Sequence, residues 1–300
     1  MRIKQTIKRF LPGKLFDLIR EAVYPEKINI IEDRLNSLFL TYYQNMASSD
    51  LNQKTALKNA EFKVYSKHGG DGLLLYIFSK IGISNRIFVE MGVEDGRECN
   101  TANLSLNFGW NGLLIDANKE WMESANLYYK TKLGNESVKT ATCFVAVNNI
   151  NKLLLDNNFV GEVDLLSIDI DSNDYWILDS ITAVNPRVIV MEYNAAFGLN
   201  SVTIKHNPDF HYQETYKKNP LYFGASLKAL VKLAKKKGYI LVGCDTHGHD
   251  AFFVRSDVAK DKFVELSPEE AFYPNPYTLA KFGSVEKQFD QVKHLDLVEI

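Results

Sequence analysis

Residues 87–116, IFVEMGVEDGRECNTANLSLNFGWNGLLID, contain the pattern that decides the fold. In order, they predict a buried strand over 87–91, a glycine-bearing acidic turn over 92–96, a helix over about 98–108 and a buried strand over 112–115 that ends on Asp116. This is one β–α–β unit. Glycines let the backbone turn sharply and approach a ligand, and a carboxylate after the second strand can accept both hydroxyls of a ribose. We therefore expect a nucleoside-bearing cofactor here.

The charges of this turn distinguish between possible cofactors. A dinucleotide-binding turn usually reads GxGxxG, because amides at the helix start must hold a pyrophosphate. Here the turn reads GVEDG, with Glu90 just before it and Glu94 and Asp95 inside it. Three carboxylates repel a pyrophosphate and suit a cation that carries an amino group and a sulfonium, such as S-adenosylmethionine (SAM). An ordinary tight turn with solvated acids is the alternative.

Length and composition are those of a globular protein. The 300 residues are 46% hydrophobic and 24% charged, with a net charge of −2, which suits one large domain with additions. The chain lacks the basic stripe typical of nucleic-acid binding, so we expect no nucleic-acid partner. Three scattered cysteines form no metal-ligand pattern, and no apolar run approaches the ~20 residues of a membrane span. We expect a cytoplasmic protein with reduced thiols.

Three parts are predicted along the chain. Residues 1–60 are expected to be an N-terminal helical extension, 61–256 the main domain, and 257–300 a C-terminal extension without a readable motif. The basic amphipathic residues 1–24 suit either the inner face of a membrane or a helical hairpin on their own domain. In residues 26–46, apolar positions at steps of three and four mark one helix face, for a homodimer contact or for the core.

Strands and helices alternate through the main domain, which predicts a parallel sheet with helices on both faces. Further strands are expected at 140–147, 163–170, 187–191, 239–244 and 251–255, the last two forming a hairpin-like end. The aromatic- and amide-rich residues 197–223 interrupt the alternation, as binding loops and lids do. A loop within 62–72, directly before the first strand, is also placed to fold over a ligand.

Several motifs together resemble the class I SAM-dependent methyltransferases, and more narrowly the FkbM-type methyltransferases of glycan and natural-product gene clusters. They are FVEMGVEDGRECNT (88–101), GWNGLLIDA (109–117), VDLLSIDIDSNDYWIL (163–178), PRVIVMEYNAAFG (186–198), YFGASLKALVKLAKKKGYILVGCD (222–245) and DAFFVR (250–255). The resemblance covers roughly residues 62–256. It implies an α/β, Rossmann-like fold with a mostly parallel sheet of seven strands, the last antiparallel, and methyl transfer from SAM.

The resemblance also implies cofactor contacts, by position. The turn around the methionine part of SAM would be formed by Glu90, Gly92 and Gly96. The ribose hydroxyls would be accepted by Asp116. Asp169, after the fourth strand, would stand beside the sulfonium. Members of this fold often place an acidic residue after the third strand for the adenine amino group. This chain offers Asn148 or Asn149 there instead.

Methyl transfer to a hydroxyl is an in-line displacement, so catalysis needs alignment and removal of the hydroxyl proton. The carboxyl ends of parallel strands meet at one edge of the sheet, and two mechanisms fit the side chains expected there. In the first, a histidine takes the proton; the candidates are His206, His211, His247 and His249. In the second, a divalent cation such as Mg²⁺ acidifies the hydroxyl; its expected ligands are Asp169, Asp171 and Glu192.

The insertion 197–223 indicates the acceptor. Its rings and amides suit stacking on and hydrogen bonding to a sugar, although the same rings could simply anchor the loop. We therefore predict O-methylation of a saccharide hydroxyl in a cell-surface glycan, a sugar nucleotide or a glycosylated natural product. Two other functions are possible for such a chain. One is a Rossmann-type NAD(P)-dependent oxidoreductase, which the missing third glycine disfavours, and the other is a non-catalytic scaffold that kept the fold.

Overall fold

The computed structural model describes residues 38, 41–46, 48 and 52–300. The chain divides into a first unit, Met1–Tyr42, and a compact second unit, Tyr43–Ile300. The predictions for residues 1–24, and for most of 26–46, lie outside the described residues. Among the residues described, no helix is long and apolar enough to cross a membrane.

A seven-stranded sheet forms the centre of the second unit. Its strands are β1 (Ile87–Met91), β2 (Asn111–Asp116), β3 (Val138–Thr142), β4 (Gly161–Ile168), β5 (Val184–Glu192), β7 (Tyr239–Cys244) and β8 (Asp250–Arg255), while β6 (Val202–Ile204) and β9 (Leu297–Glu299) pair in a small second sheet. The order across the large sheet is β3-β2-β1-β4-β5-β8-β7. Strands β1 to β5 pair in parallel, whereas β8 runs antiparallel to both β5 and β7. The predicted sheet, with seven strands and the last antiparallel, is confirmed.

Helices surround this sheet. They are α1 (Gln53–Ala60), α2 (Gly70–Ile81), α3 (Ala102–Phe108), α4 (Lys119–Leu133), α5 (Ile150–Asp156), α6 (Asp174–Ser180), α7 (Tyr212–Lys218), α8 (Leu227–Lys236), α9 (Ser256–Ala259), α10 (Pro268–Ala271), α11 (Pro276–Phe282) and α12 (Val285–Val292), with a 3₁₀ turn at Ala195–Phe197. Consecutive residues of β4 and β5 are buried. Because successive strand residues point to opposite faces, both faces of the sheet must be covered.

The amino edge of the sheet is held by a buried ion pair. Asp164 of β4 lies 2.6 Å from the Arg187 guanidinium of β5. Its carboxylate also accepts the backbone N–H groups of residues 84–86, just before β1. Arg187 in turn donates to the carbonyl oxygens of residues 81 and 82, at the end of α2. The two buried charges therefore neutralise each other, and their hydrogen bonds hold the backbone in place where β1 begins.

Strand β3 is shorter than predicted. The pattern predicts a strand over 140–147, but β3 ends at Thr142, where its partner β2 ends at Asp116. β3 is an edge strand, so with β2 finished its backbone has no further ladder partner. The chain therefore leaves the sheet, and residues 143–145 form a loop at the carboxyl edge.

The insertion and the C-terminal region are joined by the small sheet. β6 lies inside residues 197–223 and pairs antiparallel with β9, so that Val202 faces Glu299. The backbone N–H of Ile300 donates to the carbonyl oxygen of Ser201 over 2.9 Å. The C-terminal segment is thus packed against the insertion.

Candidate active site

A cavity of about 440 Å³ opens at the carboxyl edge of the sheet. Its walls are the turn after β1, the end of β2, the loop after β3, the loop after β4 and the start of the insertion helix α7; the lining includes residues 92, 94, 115–117, 143–145, 169–172 and 210–214. This volume is in the range of small-molecule sites. With Lys67 from the loop before α2, six separate segments therefore meet at the edge where the parallel topology predicts a site.

The two glycines of the first turn have different tasks. Gly92 has φ +79°, and a Cβ there would lie 1.6 Å from the carbonyl oxygen of Asp169. Gly92 thus lets the ends of β1 and β4 lie side by side at the cavity wall. Gly96 has φ +71°, but a Cβ there would meet Leu114 and Tyr129 at 3.2 Å. Gly96 therefore serves the packing of α4 on the sheet and does not line the cavity.

Glu90 is engaged within the fold. The side chain is buried, and its carboxylate accepts the N–H of Asn100 at 2.9 Å and both the N–H and hydroxyl of Thr101 at 2.9 and 2.6 Å. Burial raises the pKa of Glu90, and these hydrogen bonds oppose that rise. Glu90 therefore fixes the segment that leads into α3, and it borders a narrow space beside the cavity.

Asp116 lines the cavity with acceptor capacity to spare. Its Oδ2 accepts the N–H of Glu94 at 3.0 Å, and its Oδ1 accepts the N–H of Asn118 at 2.8 Å. Each carboxylate oxygen carries a second lone pair, which suits two neighbouring hydroxyls. Burial raises the pKa of this half-buried group, while the two backbone hydrogen bonds lower it.

The loop after β3 supplies an apolar wall. Phe144 and Val145 line the cavity together with Cys143. Asn149 shapes this loop, because its side chain accepts the N–H of Ala146 and donates to the carbonyl oxygen of Phe144, both over 2.9 Å. Asn148 is exposed and does not border the cavity. An adenine ring would meet aromatic and aliphatic side chains here, in place of the amide expected at Asn148.

Three carboxylates lie close together where β4 and β5 end; two of them, Asp169 and Asp171, line the cavity. The nearest carboxylate oxygens of Asp169, Asp171 and Glu192 all lie within 4.8 Å of one another. Burial raises the pKa of each, and the negative charges of their neighbours raise those of Asp171 and Glu192 further, to about 8 for Asp171. Such a cluster favours a bound cation. The structure thus brings together the three carboxylates predicted as metal ligands.

Asp174 supports this cluster from behind. Its two oxygens accept the N–H groups of Ile170 and Ser172, each over 2.8 Å. These bonds close the turn in which Asp171 adopts φ +53°. Burial raises the pKa of Asp174 to about 6. Asp174 is therefore a turn-forming residue and holds Asp171 toward the cavity.

Positive groups stand next to the carboxylates. His249 Nε2 lies 3.1 Å from Glu192, and His249 Nδ1 lies 3.6 Å from Asp250. Burial alone would lower the pKa of His249, but the hydrogen bond and charge of Asp250 raise it to about 9. Lys67 Nζ lies 3.5 Å from Glu94. Burial works against its charge, but Asp169 and Glu94 raise its pKa. Both groups therefore carry positive charge at neutral pH.

The predicted histidines separate into two groups. His211 lines the cavity and faces the Phe144 ring, with ring centroids 6.2 Å apart. His206 is exposed and meets the Trp176 ring instead. His247 is also exposed, stacks on His68 at 5.1 Å, and does not border the cavity. Among these three, only His211 lines the cavity.

The loop before α2 contributes residues that sequence patterns did not assign. It brings Lys67 to the cavity and His68 to the ring of His249, with centroids 4.8 Å apart. Burial, followed by the charge of His249, lowers the pKa of His68 to about 4. The loop is held by Asp71, whose Oδ2 accepts three backbone N–H groups from residues 64–66. In the sequence, the acidic residue of HGGDG (68–72), Asp71, is the feature that could have indicated a loop held by side-chain hydrogen bonds.

Solved structures of SAM-dependent methyltransferases are similar in fold to this chain. One from Clostridium acetobutylicum ATCC 824 matches 60% of this chain and 88% of its own length, at 10% identity and a TM-score of 0.40. Another, from Thiobacillus denitrificans in complex with S-adenosyl-L-homocysteine (SAH), matches 64% and 73%, at 13% identity and a TM-score of 0.37. One from Aquifex aeolicus matches 68% and 97%, at 12% and 0.38.

No protein-family model matches the sequence, and a search of curated proteins found no match either.

Proposed function

We propose that this protein is a SAM-dependent O-methyltransferase that acts on a saccharide hydroxyl. One observation carries the cofactor assignment: the cavity at the ends of β1 to β4 joins Asp116, an apolar loop and a wall of carboxylates. Along the edge the apolar loop follows β3, Asp116 ends β2 and the carboxylates follow β4. The adenine, ribose and sulfonium of SAM are linked in the same order and need these three surroundings. The acidic wall disfavours the pyrophosphate of a nicotinamide dinucleotide.

The methionine part of SAM has both a carboxylate and an ammonium group. Lys67 and Glu94, paired at 3.5 Å, lie on the same wall of the cavity as Gly92. We assign the SAM carboxylate to Lys67 and its ammonium to Glu94. Asp116 takes the ribose hydroxyls, and Phe144 packs against the adenine.

Bound SAM supplies an electrophilic methyl group on a positively charged sulfur. The protein must align the acceptor hydroxyl with that methyl and receive the hydroxyl proton. Asp169 and Asp171 line the cavity and Glu192 lies close to both. Oxygen ligands of this kind suit Mg²⁺. We propose that they hold a divalent cation, which would acidify the acceptor hydroxyl. Without a metal, His211 is the cavity-lining histidine placed to take the proton.

The insertion supports a saccharide acceptor. Residues 210–214 line the cavity opposite the carboxylates, with Phe210, His211 and Tyr212 among them. The rings of Tyr212 and Tyr216 are 5.5 Å apart. Aromatic and imidazole rings beside carboxylates can stack on a sugar face and accept its hydroxyl protons.

Calorimetry with SAH tests the cofactor assignment. We expect the full chain to bind SAH, and Asp116→Ala to weaken binding about tenfold or more, because two charged hydrogen bonds are lost. Asp95→Asn is the control: Asp95 lies in the neighbouring turn after β1, pairs with Arg97 and does not line the cavity. Its affinity should stay within about twofold of the unsubstituted protein.

Two results would overturn this assignment. Binding of NAD(H) in place of SAH would favour the oxidoreductase, and binding of neither ligand would favour the scaffold. If SAH binds but no saccharide becomes labelled from methyl-labelled SAM, the saccharide acceptor is wrong.

A further inference from the structure

A second cavity, of about 480 Å³, adjoins the first. Phe210, His211 and Glu214 line both cavities and form a shared wall at the start of α7. The rest of the second cavity is lined by other residues of 207–222 and by residues 294–296, just before β9. A ligand that reaches past the shared wall would touch both cavities.

The far wall of the second cavity is built into the fold. The carbonyl oxygen of Asp296 accepts the Lys205 N–H at 2.9 Å and the Tyr222 hydroxyl at 2.8 Å. These bonds extend the pairing of β6 with β9. Residues 294–296 are therefore fixed against the insertion, and the cavity has two firmly connected sides.

The lining of the second cavity is mostly polar. Amide and hydroxyl groups come from Asn207, Asn219 and Thr215, and the Phe210 and Tyr222 rings lie 6.4 Å apart. Amides, hydroxyls and carboxylates offer many hydrogen bonds, and the rings offer flat apolar faces. This combination suits a polyhydroxylated ligand.

The charges of the second cavity disfavour one class of acceptor. This cavity is lined by three carboxyl side chains, one lysine and two histidines. In the second cavity the carboxylates are Asp209, Glu214 and Asp296, with Lys218 as the lysine. A diphosphate would bring at least two more negative charges into this acidic space and would be repelled. An uncharged sugar meets no such penalty, and an amino sugar would be attracted.

We propose, building on the methyl transfer argued above, that the second cavity binds the part of the acceptor next to the methylated sugar. The acceptor is an uncharged or amino-bearing saccharide, not a sugar nucleotide. This narrows the three acceptor classes to the glycan and the glycosylated natural product.

A panel of sugars tests the charge argument. The full chain with SAH is examined by saturation-transfer NMR against methyl glycosides of disaccharides, built from neutral hexoses or from 2-amino-2-deoxyhexoses, and against the UDP derivatives of the same disaccharides. We expect saturation transfer to at least one methyl glycoside and at least about tenfold weaker binding of its UDP form. A UDP-sugar that binds equally well or better would overturn the proposal, as would a panel in which no methyl glycoside binds.

A pair of variants tests the location. Thr215→Trp fills the second cavity, whereas Lys217→Trp places the same side chain on the exposed side of the same helix, away from both cavities. We expect Thr215→Trp to weaken binding of the glycoside at least about tenfold and to leave SAH affinity within about twofold, with Lys217→Trp unchanged in both. Equal glycoside binding by Thr215→Trp and the unsubstituted chain would overturn the location. A chain that binds no SAH at all would instead overturn the proposed function.

Discussion

The backbone of Gly92 lies against the carbonyl oxygen of Asp169, so closely that a Cβ on the glycine would come within 1.6 Å of that oxygen. The N–H of Asp169 donates to the carbonyl oxygen of Met91 at 3.1 Å, which extends the pairing of β1 with β4 by one bond. The first glycine of the turn thus places a carboxylate of the site through backbone contact. Both the positive φ of Gly92 and its close approach to Asp169 require a residue without a Cβ.

Gly92→Ala should disrupt both folding and cofactor binding. The new methyl group would have to displace Asp169, and the positive φ adds strain. We expect a loss of about 3 kcal/mol or more in the free energy of unfolding, measured by urea denaturation. Gly134→Ala is the control, because Gly134 has φ +68° with nothing within 4 Å of a Cβ; it should cost about 1–2 kcal/mol. Equal losses in the two variants would contradict this explanation.

SAH should protect Cys143 from alkylation. Cys143 lines the cavity beside Phe144, whereas Cys99 and Cys244 are buried. At a concentration of SAH ten times its Kd, iodoacetamide labelling of Cys143 should slow about tenfold, because only one site in eleven remains free. Mass spectrometry of the labelled peptide measures this. Asp116→Ala at the same SAH concentration should slow labelling by about twofold at most, because a tenfold higher Kd leaves half of the sites free. SAH binding without protection of Cys143 would place the adenosine elsewhere.

Glu192→Gln should weaken binding of a divalent cation. Mn²⁺, followed by its electron paramagnetic resonance spectrum, is the probe, and its removal by EDTA should lower methyl transfer. We expect Mn²⁺ affinity to fall about tenfold or more when one of three anionic ligands becomes neutral. Asp95→Asn, which removes a carboxylate outside the cluster, should leave it unchanged. If the unsubstituted chain binds no Mn²⁺, the metal proposal fails, and His211 is the next group to substitute.

Stability in EDTA-containing buffer should fall as the pH rises from 5 to 8. Burial raises the pKa of Asp171 to about 8 and that of Asp245 to about 7, and like charges nearby add to both shifts. Over this range the folded protein keeps protons that the unfolded chain has released, so raising the pH favours unfolding. We expect Tm at pH 8 to be roughly 5 °C lower than at pH 5.

Asp171→Asn should make this pH dependence shallower, since the amide cannot ionise, whereas Asp95→Asn should follow the unsubstituted protein. Differential scanning calorimetry gives both profiles. A Tm that rises between pH 5 and pH 8 would mean that these carboxyls are ionised in the fold.

The sequence predicts the sheet well because the signals for it are local. The apolar runs at β1, β2, β4 and β5, and the turn glycines between them, are legible within ten or fifteen residues. The antiparallel pair of β7 and β8, predicted as a hairpin-like end of the sheet, is also confirmed. The ends of strands are harder to predict from sequence. β3 ends at Thr142 because its partner β2 ends at Asp116, and no residue in 143–147 signals the end of a strand.

The directions of side chains at the site cannot be predicted from local sequence in the way that the strands can. Glu90 looks like part of an acidic ligand wall, yet its partners are Asn100 and Thr101, ten and eleven residues later. Lys67 reaches the cavity only because Asp71 braces its loop. These placements depend on tertiary contacts. By contrast, Asp169, Asp171 and Glu192 lie together because parallel strands must end at one edge.

The wall shared by the two cavities gives them one common boundary, at Phe210, His211 and Glu214. An acceptor that passes this boundary is held on both sides of it, so its affinity for the protein should depend on sugars that never meet the methyl donor.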